Sequence, residues 1–306
     1  MEKADTRLDA LRMWLTLLVP GYGLILESLV PASADASFRR YFRLASDSGT
    51  TYIVMDAPPE KEAVGPYLKV QSLMREAGLN VPVIYEKNEV AGFILMSDLG
   101  KKTYLDVLTV DNAPVLFDGA VDELISWQKA TRPGVLPPYD EAVLRRELKL
   151  FPDWYITRHR GYTMTEKDKT ELETVFSRLV ADNLSVSSVY VHRDYMPRNL
   201  MATDGNRPGV IDFQDALTGP ITYDIASLMR DAFVSWPEEF VLDMTIRYWE
   251  KARRAKLAVP EDFGDFWRHV EWMGLQRHLK VLGIFARIYY RDGKSKYLAD
   301  TPRFIE

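Results

Sequence analysis

The chain has 306 residues, 47% of them hydrophobic and 27% charged; 44 acidic side chains against 39 basic ones leave a net charge of −5, and there is no cysteine. Such a chain buries a sizeable core and is not wholesale disordered, and its mild acidity argues against a general nucleic-acid binder, which needs surplus cations. Without cysteine there is no disulfide framework, thiolate nucleophile, cysteine–zinc site or iron–sulfur cluster.

The first segment, residues 5–18, places Leu8, Leu11, Trp14, Leu15 and Leu18 on one helical face, with Pro20 and Gly21 expected to stop it. The apolar stretch 13–26 is interrupted by Pro20, Gly21 and Gly23, too short and broken for the roughly 20 apolar residues of a spanning helix. Charges of both signs between Glu2 and Arg12 make a poor signal peptide. The cytoplasm is the expected location, with no membrane contact and no obligate protein partner. Residues 23–30, 38–45 and 51–57 read as short strands separated by turn residues, followed by a helix over 61–77 and two more strands, 81–86 and 92–96. This run is a small unit dominated by an antiparallel sheet, and the whole is an α+β protein. Beyond Gly100 the texture turns helical, with long amphipathic stretches at 113–131 and 165–183. It is interrupted by short β-like pieces at 188–192, 200–203 and 209–213 before helical periodicity returns over 223–290. The halves are expected to meet at Ser97-Asp98-Leu99-Gly100, giving lobes 1–97 and 98–306. Gly21-Tyr22-Gly23 is read as a turn, since no third glycine makes it a dinucleotide fingerprint.

The stretch His192-Arg193-Asp194-Tyr195-Met196-Pro197-Arg198-Asn199 holds His-x-Asp with an asparagine five residues past the aspartate, and Gly209-Val210-Ile211-Asp212-Phe213 follows. Independent placement of these residue types would produce the first pattern about 0.01 times in such a chain. Phosphoryl transfer needs one group to accept the proton of the attacking hydroxyl and others to hold Mg²⁺ against the nucleotide phosphates. Asp194, on a loop after a strand, suits the base. Asn199 offers a neutral oxygen and Asp212 an anionic one, both hard ligands. The plainer reading pairs His192 with Asp194 in a loop and makes Asp212 a turn cap.

These motifs resemble the aminoglycoside phosphotransferase family, similar in fold to the protein kinases. The likeness is carried by residues 37–43 (SFRRYFR), 52–62 (YIVMDAPPEKE), 95–100 (LMSDLG), the loop just described, 209–224 (GVIDFQDALTGPITYD) and 274–294 (GLQRHLKVLGIFARIYYRDGK). The last of these is similar to the branch of cell-wall-recycling anomeric sugar kinases, which act on N-acetylmuramic acid and N-acetylglucosamine. The resemblance implies a two-lobed protein-kinase-like fold, a small antiparallel-sheet lobe with a larger mainly helical one, and ATP and Mg²⁺ as cofactors. It also implies an adenine-pairing strand end at Met96-Ser97-Asp98-Leu99, a phosphate cover at 34–38, and a bracing role for Asp224. Gln214, Asp215, Gln276 and Arg277 are the expected sugar contacts, and His278 is expected to pack structurally. Two departures stand out. Met55 or Asp56 occupies the register of the strand lysine that kinases aim at the α and β phosphates, and the phosphate cover lacks glycine. Arg43 or Arg40 is the expected substitute cation. An aminoglycoside, choline or homoserine acceptor, and a non-catalytic nucleotide-binding pseudokinase, stay open as alternatives. Arg277, Arg287 and Arg291 are the cations that an acidic sugar would need.

Overall fold

The computed structural model describes residues 5–32 and 38–305. Helix α1 (Thr6–Tyr22) starts where the Asp5 carboxylate accepts the Leu8 N–H at 3.0 Å, and it ends at Gly23, whose φ of 60° is left-handed. The helix therefore runs past Pro20 and Gly21. Pro20 is exposed in the last turn, where its missing N–H leaves only a solvent-facing carbonyl unbonded. Next come β1 (Leu24–Pro31), β2 (Arg40–Ser46), β3 (Thr51–Asp56), α2 (Gly65–Glu76), β4 (Ile84–Asn88) and β5 (Phe93–Ser97). Helix α2 begins four residues later than its apolar pattern suggested. Pro66 favours a first-turn position, and Lys61 and Glu62 instead turn back onto the Pro58 carbonyl.

The five strands form one antiparallel sheet in the order β1-β2-β3-β5-β4. Both faces of the central strands are covered, so β3 and β5 read as continuous apolar runs. Val54, Phe93 and Leu95 pack under Leu11 and Leu15 of α1, while Met55, Ile94 and Met96 join the main core with Tyr67 and Met74 of α2. Asp56 shares the α1 face with Val54 and is held there by Arg7 at 3.0 Å and Arg40 at 2.9 Å. The missing strand lysine thus has a structural reason: that position closes the α1 face with a buried ion pair.

After Ser97 the chain forms α3 (Tyr104–Val107), α4 (Ala113–Lys129), α5 (Glu141–Leu148), a π-helical segment Phe151–His159, and α6 (Glu166–Ser185), capped reciprocally by Thr165 and Asp168. Two short antiparallel pairs follow, β6 (Ser188–Val191) with β9 (Leu217–Pro220), and β7 (Leu200–Met201) with β8 (Gly209–Val210). Strand β9, the short helices α3 and α5 and the π-helical segment carry too little periodicity to be read from sequence. The chain ends with α7 (Tyr223–Met229), α8 (Glu238–Arg254), α9 (Phe263–Asp292) and a 3₁₀ segment Ser295–Phe304. Helix α9 lies against the π-helical segment so closely at Gly283 that a Cβ there would collide with the Leu150 backbone.

Candidate active site

The two small strand pairs aim three loops at one place. Asp194 follows β6, Asn199 closes a 3₁₀ turn (Pro197–Asn199) just before β7, and Asp212 follows β8. The Asn199 amide donates to the Asp194 carbonyl at 2.9 Å and lies 3.4 Å from an Asp212 carboxylate oxygen. The other Asp212 oxygen accepts from Gln214 Nε2 at 2.9 Å. Two residues pay for this convergence in backbone conformation: Arg193 has φ 78° and Asp212 φ 63°, left-handed values that side-chain-bearing residues adopt only when the surroundings hold them. For Arg193 the holder is Asp224, at the start of α7. Its buried carboxylate accepts the His192 and Arg193 N–H groups at 2.6 and 3.0 Å. His192 is fully buried, and burial lowers its pKa, so the ring is neutral. Its Nε2–H donates to the Ile211 carbonyl at 3.0 Å, tying the Asp194 loop to the Asp212 strand.

Asp194, Asn199 and Asp212 line one cleft of about 280 Å³. Its roof is Arg39 and Tyr41, at the start of β2. Its far wall is a stripe of α9, where Arg277, Lys280, Val281, Ile284, Phe285 and Ile288 recur at helical spacing; Phe233 and Tyr297 close the side. The two wall cations are buried. The Arg277 guanidinium sits 4.9 Å from the Tyr223 ring centroid and donates to the Arg193 carbonyl at 2.9 Å. Lys280 Nζ donates to the Tyr223 hydroxyl at 2.9 Å and lies 3.1 Å from Glu147, which also pairs with Arg193 at 2.7 Å. Burial pushes the Asp194 carboxyl up, but Lys280, Arg277 and Arg193 outweigh it and hold the group below its ordinary value. Asp194 is therefore anionic at neutral pH.

Other expected positions fall elsewhere. Gln276 is adjacent to Arg277 but about 100° away around the helix; its amide donates inward to the Leu144 carbonyl at 3.1 Å. Asp215 is exposed, and its carbonyl accepts from Arg193 at 3.4 Å. Arg43 is bound by Asp98 at 2.6 Å and by the Gly100 carbonyl at 2.7 Å, and Arg40 by Asp56, and neither lines the cleft that holds Asp194. Met96 is buried with its sulfur 3.2 Å from the Tyr67 hydroxyl; the Ser97 N–H is taken by the Val83 carbonyl; Leu99 packs beside Gly209. None of residues 96–99 lines the cleft that holds Asp194. Arg291 pairs with Asp292 at the surface. The His278 Nε2–H donates to the Arg230 carbonyl at 3.2 Å, and burial pushes its pKa down to about 4, in keeping with a packing role. Of the expected phosphate cover, residues 34–37 lie outside the described residues.

Asp231, between α7 and Phe233, is almost fully buried, and burial raises its pKa from 3.8 to about 6 against the pull of the Phe233 N–H. Its folded pKa exceeds the unfolded one, so the native state binds the proton more tightly and stability falls as pH rises from about 4 to 6. Asp231→Asn removes that slope and is expected to stabilise the protein at pH 8, by at most about 3 kcal/mol. Urea melts at pH 4 and pH 8 check this; equal slopes in the two proteins would contradict it.

A family model described as phosphotransferase enzyme family matches residues 28–259. The chain belongs to that family. It is a phosphotransferase, with ATP as the phosphoryl donor. Named "N-acetylmuramate/N-acetylglucosamine kinase", a Pseudomonas aeruginosa protein is 52% identical over 98% of this chain and 90% of its own length. A Neisseria meningitidis protein of the same name is 49% identical, over 96% and 88%. Among solved structures, a choline kinase from Streptococcus pneumoniae superposes with a TM-score of 0.67 at 14% identity, covering 97% of this chain and 98% of that one. An ADP-bound aminoglycoside phosphotransferase reaches 0.65 at 14%, covering 95% and 96%. These place the fold among the kinase-like two-lobed α+β proteins. The family model ends before α9, so the phosphotransferase's two wall cations lie beyond the residues that model matches.

Proposed function

We propose that this phosphotransferase is an amino-sugar kinase. It moves the γ-phosphoryl of ATP to the anomeric hydroxyl of N-acetylmuramic acid and N-acetylglucosamine, in cytoplasmic recycling of peptidoglycan sugars. The carrying observation is that Asp194 shares its cleft with Asn199 and Asp212 on one side and with buried Arg277 and Lys280 on the other. A cationic acceptor such as an aminoglycoside or choline would be desolvated beside like charges. An acidic lactyl sugar would be attracted, and its apolar ring face suits Phe285 and Ile288. The names of the relatives at 52% and 49% identity support the same acceptors.

Asp194 would orient the acceptor hydroxyl and take its proton as the phosphoryl group leaves ADP. An anomeric hydroxyl is the most acidic on a sugar, and a loose transition state demands little proton removal at its start, so a carboxylate of low pKa suffices. The Asp212 carboxylate and Asn199 amide oxygen have the donor chemistry of a magnesium site. Among the described residues no group of three or more His, Cys, Asp or Glu is gathered for a metal, so the pair would hold the ion jointly with phosphate oxygens and water. When bound, magnesium would neutralise developing charge on the phosphates. Lobes divided near residues 97 and 98 would put adenine at the backbone of Asp98 and Leu99, since the Ser97 N–H is already engaged.

A coupled ADP-release assay over free amino sugars and aminoglycosides, with phosphorus NMR to locate the ester, tests the reading. A sugar 1-phosphate doublet, abolished by chelator, is expected; turnover on cationic acceptors alone would end it. Asp212→Asn is expected to weaken ADP binding in magnesium by roughly tenfold or more and to leave metal-free binding unchanged. Superimposable magnesium titrations would remove Asp212 from that role.

A further inference from the structure

The strand position that would carry a phosphate-binding lysine is filled by Met55, buried in the core, and by Asp56, closed under α1. Arg40 and Arg43 are drawn to Asp56 and Asp98. Side chains alternate along a strand, and the residue preceding β2 falls on the same face as Tyr41. Both Arg39 and Tyr41 line the cleft that holds Asp194, Asn199 and Asp212. Arg39 is not loose there. Its Nε lies 2.8 Å from Glu62, in the turn between β3 and α2, and the two side chains are only 11% and 23% exposed.

A guanidinium tethered by a carboxylate at the roof of a phosphate-binding cleft is preorganised, because its rotamer freedom is lost on folding and not on binding. We propose that Arg39, positioned by Glu62, is the cation that contacts the nucleotide's phosphates, taking over from the neighbouring strand the task of the absent lysine. Arg39 then binds substrate directly, and Glu62 is a positioning residue acting through it. The assignment rests on the phosphotransferase reading, not on which sugar is the acceptor.

The test is isothermal titration of the full-length protein with magnesium-ADP and, separately, with adenosine, alongside KM values for ATP and sugar. Arg39→Met is expected to weaken ADP binding about 10–100-fold, the loss typical of one charge-assisted contact. Adenosine affinity and sugar KM should stay within about twofold. Glu62→Gln should move the same constants the same way by less, and the double variant should be no worse than Arg39→Met. Arg39→Lys should recover part of the loss. ADP affinity unchanged in Arg39→Met overturns the proposal, as does a parallel loss of adenosine binding or an effect confined to sugar KM. Should Arg39→Met fail to fold, Arg39→Gln carries the test, and unchanged ADP affinity in it overturns the proposal. ADP titration involves no acceptor, so it reads Arg39 even if no amino sugar is phosphorylated.

Discussion

Asp194→Ala is expected to lower kcat by roughly 10²–10⁴, a barrier increase of about 3–5 kcal/mol, while ADP affinity and the unfolding midpoint stay close to wild type. On the reading proposed above, Asp194 would meet the acceptor hydroxyl beside phosphates held near Asn199 and Asp212, the residues with which it lines the cleft. Among the described residues its side chain supports no backbone group of the loop; that loop is held by Asp224, by His192 and by the Asn199 amide on the Asp194 carbonyl. Removing the carboxylate therefore takes away an oriented base and leaves the scaffold standing. Single-turnover kinetics with saturating ATP and sugar give the comparison, and full turnover in the variant would strip Asp194 of its role.

Asp224→Ala should behave in the opposite way. Its carboxylate is fully buried and accepts two backbone N–H groups, those of His192 and Arg193. Alanine leaves both donors buried without partners and releases Arg193 from a left-handed conformation. Unsatisfied buried groups cost about 1–3 kcal/mol each, so a loss of roughly 2–5 kcal/mol in unfolding free energy is expected, with activity falling because the Asp194 loop relaxes. Urea denaturation measures the first effect and kcat the second. A variant with wild-type stability would show that the loop is braced by something else.

The spacing from His192 to Asn199 was legible because the chemistry demands those residue types at fixed offsets along one short loop, and no distant contact has to be inferred. The five-strand sheet was legible from short apolar runs bounded by turn residues. What remained hidden depended on phase. Arg39 and Arg40 are neighbours in sequence, yet one lines the cleft and the other closes the α1 face, and a one-residue shift in where a strand begins exchanges them. Gln276 and Arg277 present the same problem on a helix. Lys280 carried a signal that could have been used: it lies three residues from Arg277 and four from Ile284, on one stripe. The role of Glu147, which binds both Lys280 and Arg193 across long sequence separations, had no local signature at all.

Six side chains of the cleft's far wall, from Arg277 to Ile288, project from one continuous helix that takes no part in the strand pairs carrying Asp194, Asn199 and Asp212. Arg277 and Lys280 at its inner end act on Asp194, whereas, on the amino-sugar kinase reading proposed above, the apolar positions beyond them would set acceptor choice. A library confined to positions 281, 284, 285 and 288 would sample new acceptors while leaving the transfer apparatus untouched, which makes this helix the natural handle for redirecting the enzyme to unnatural sugars.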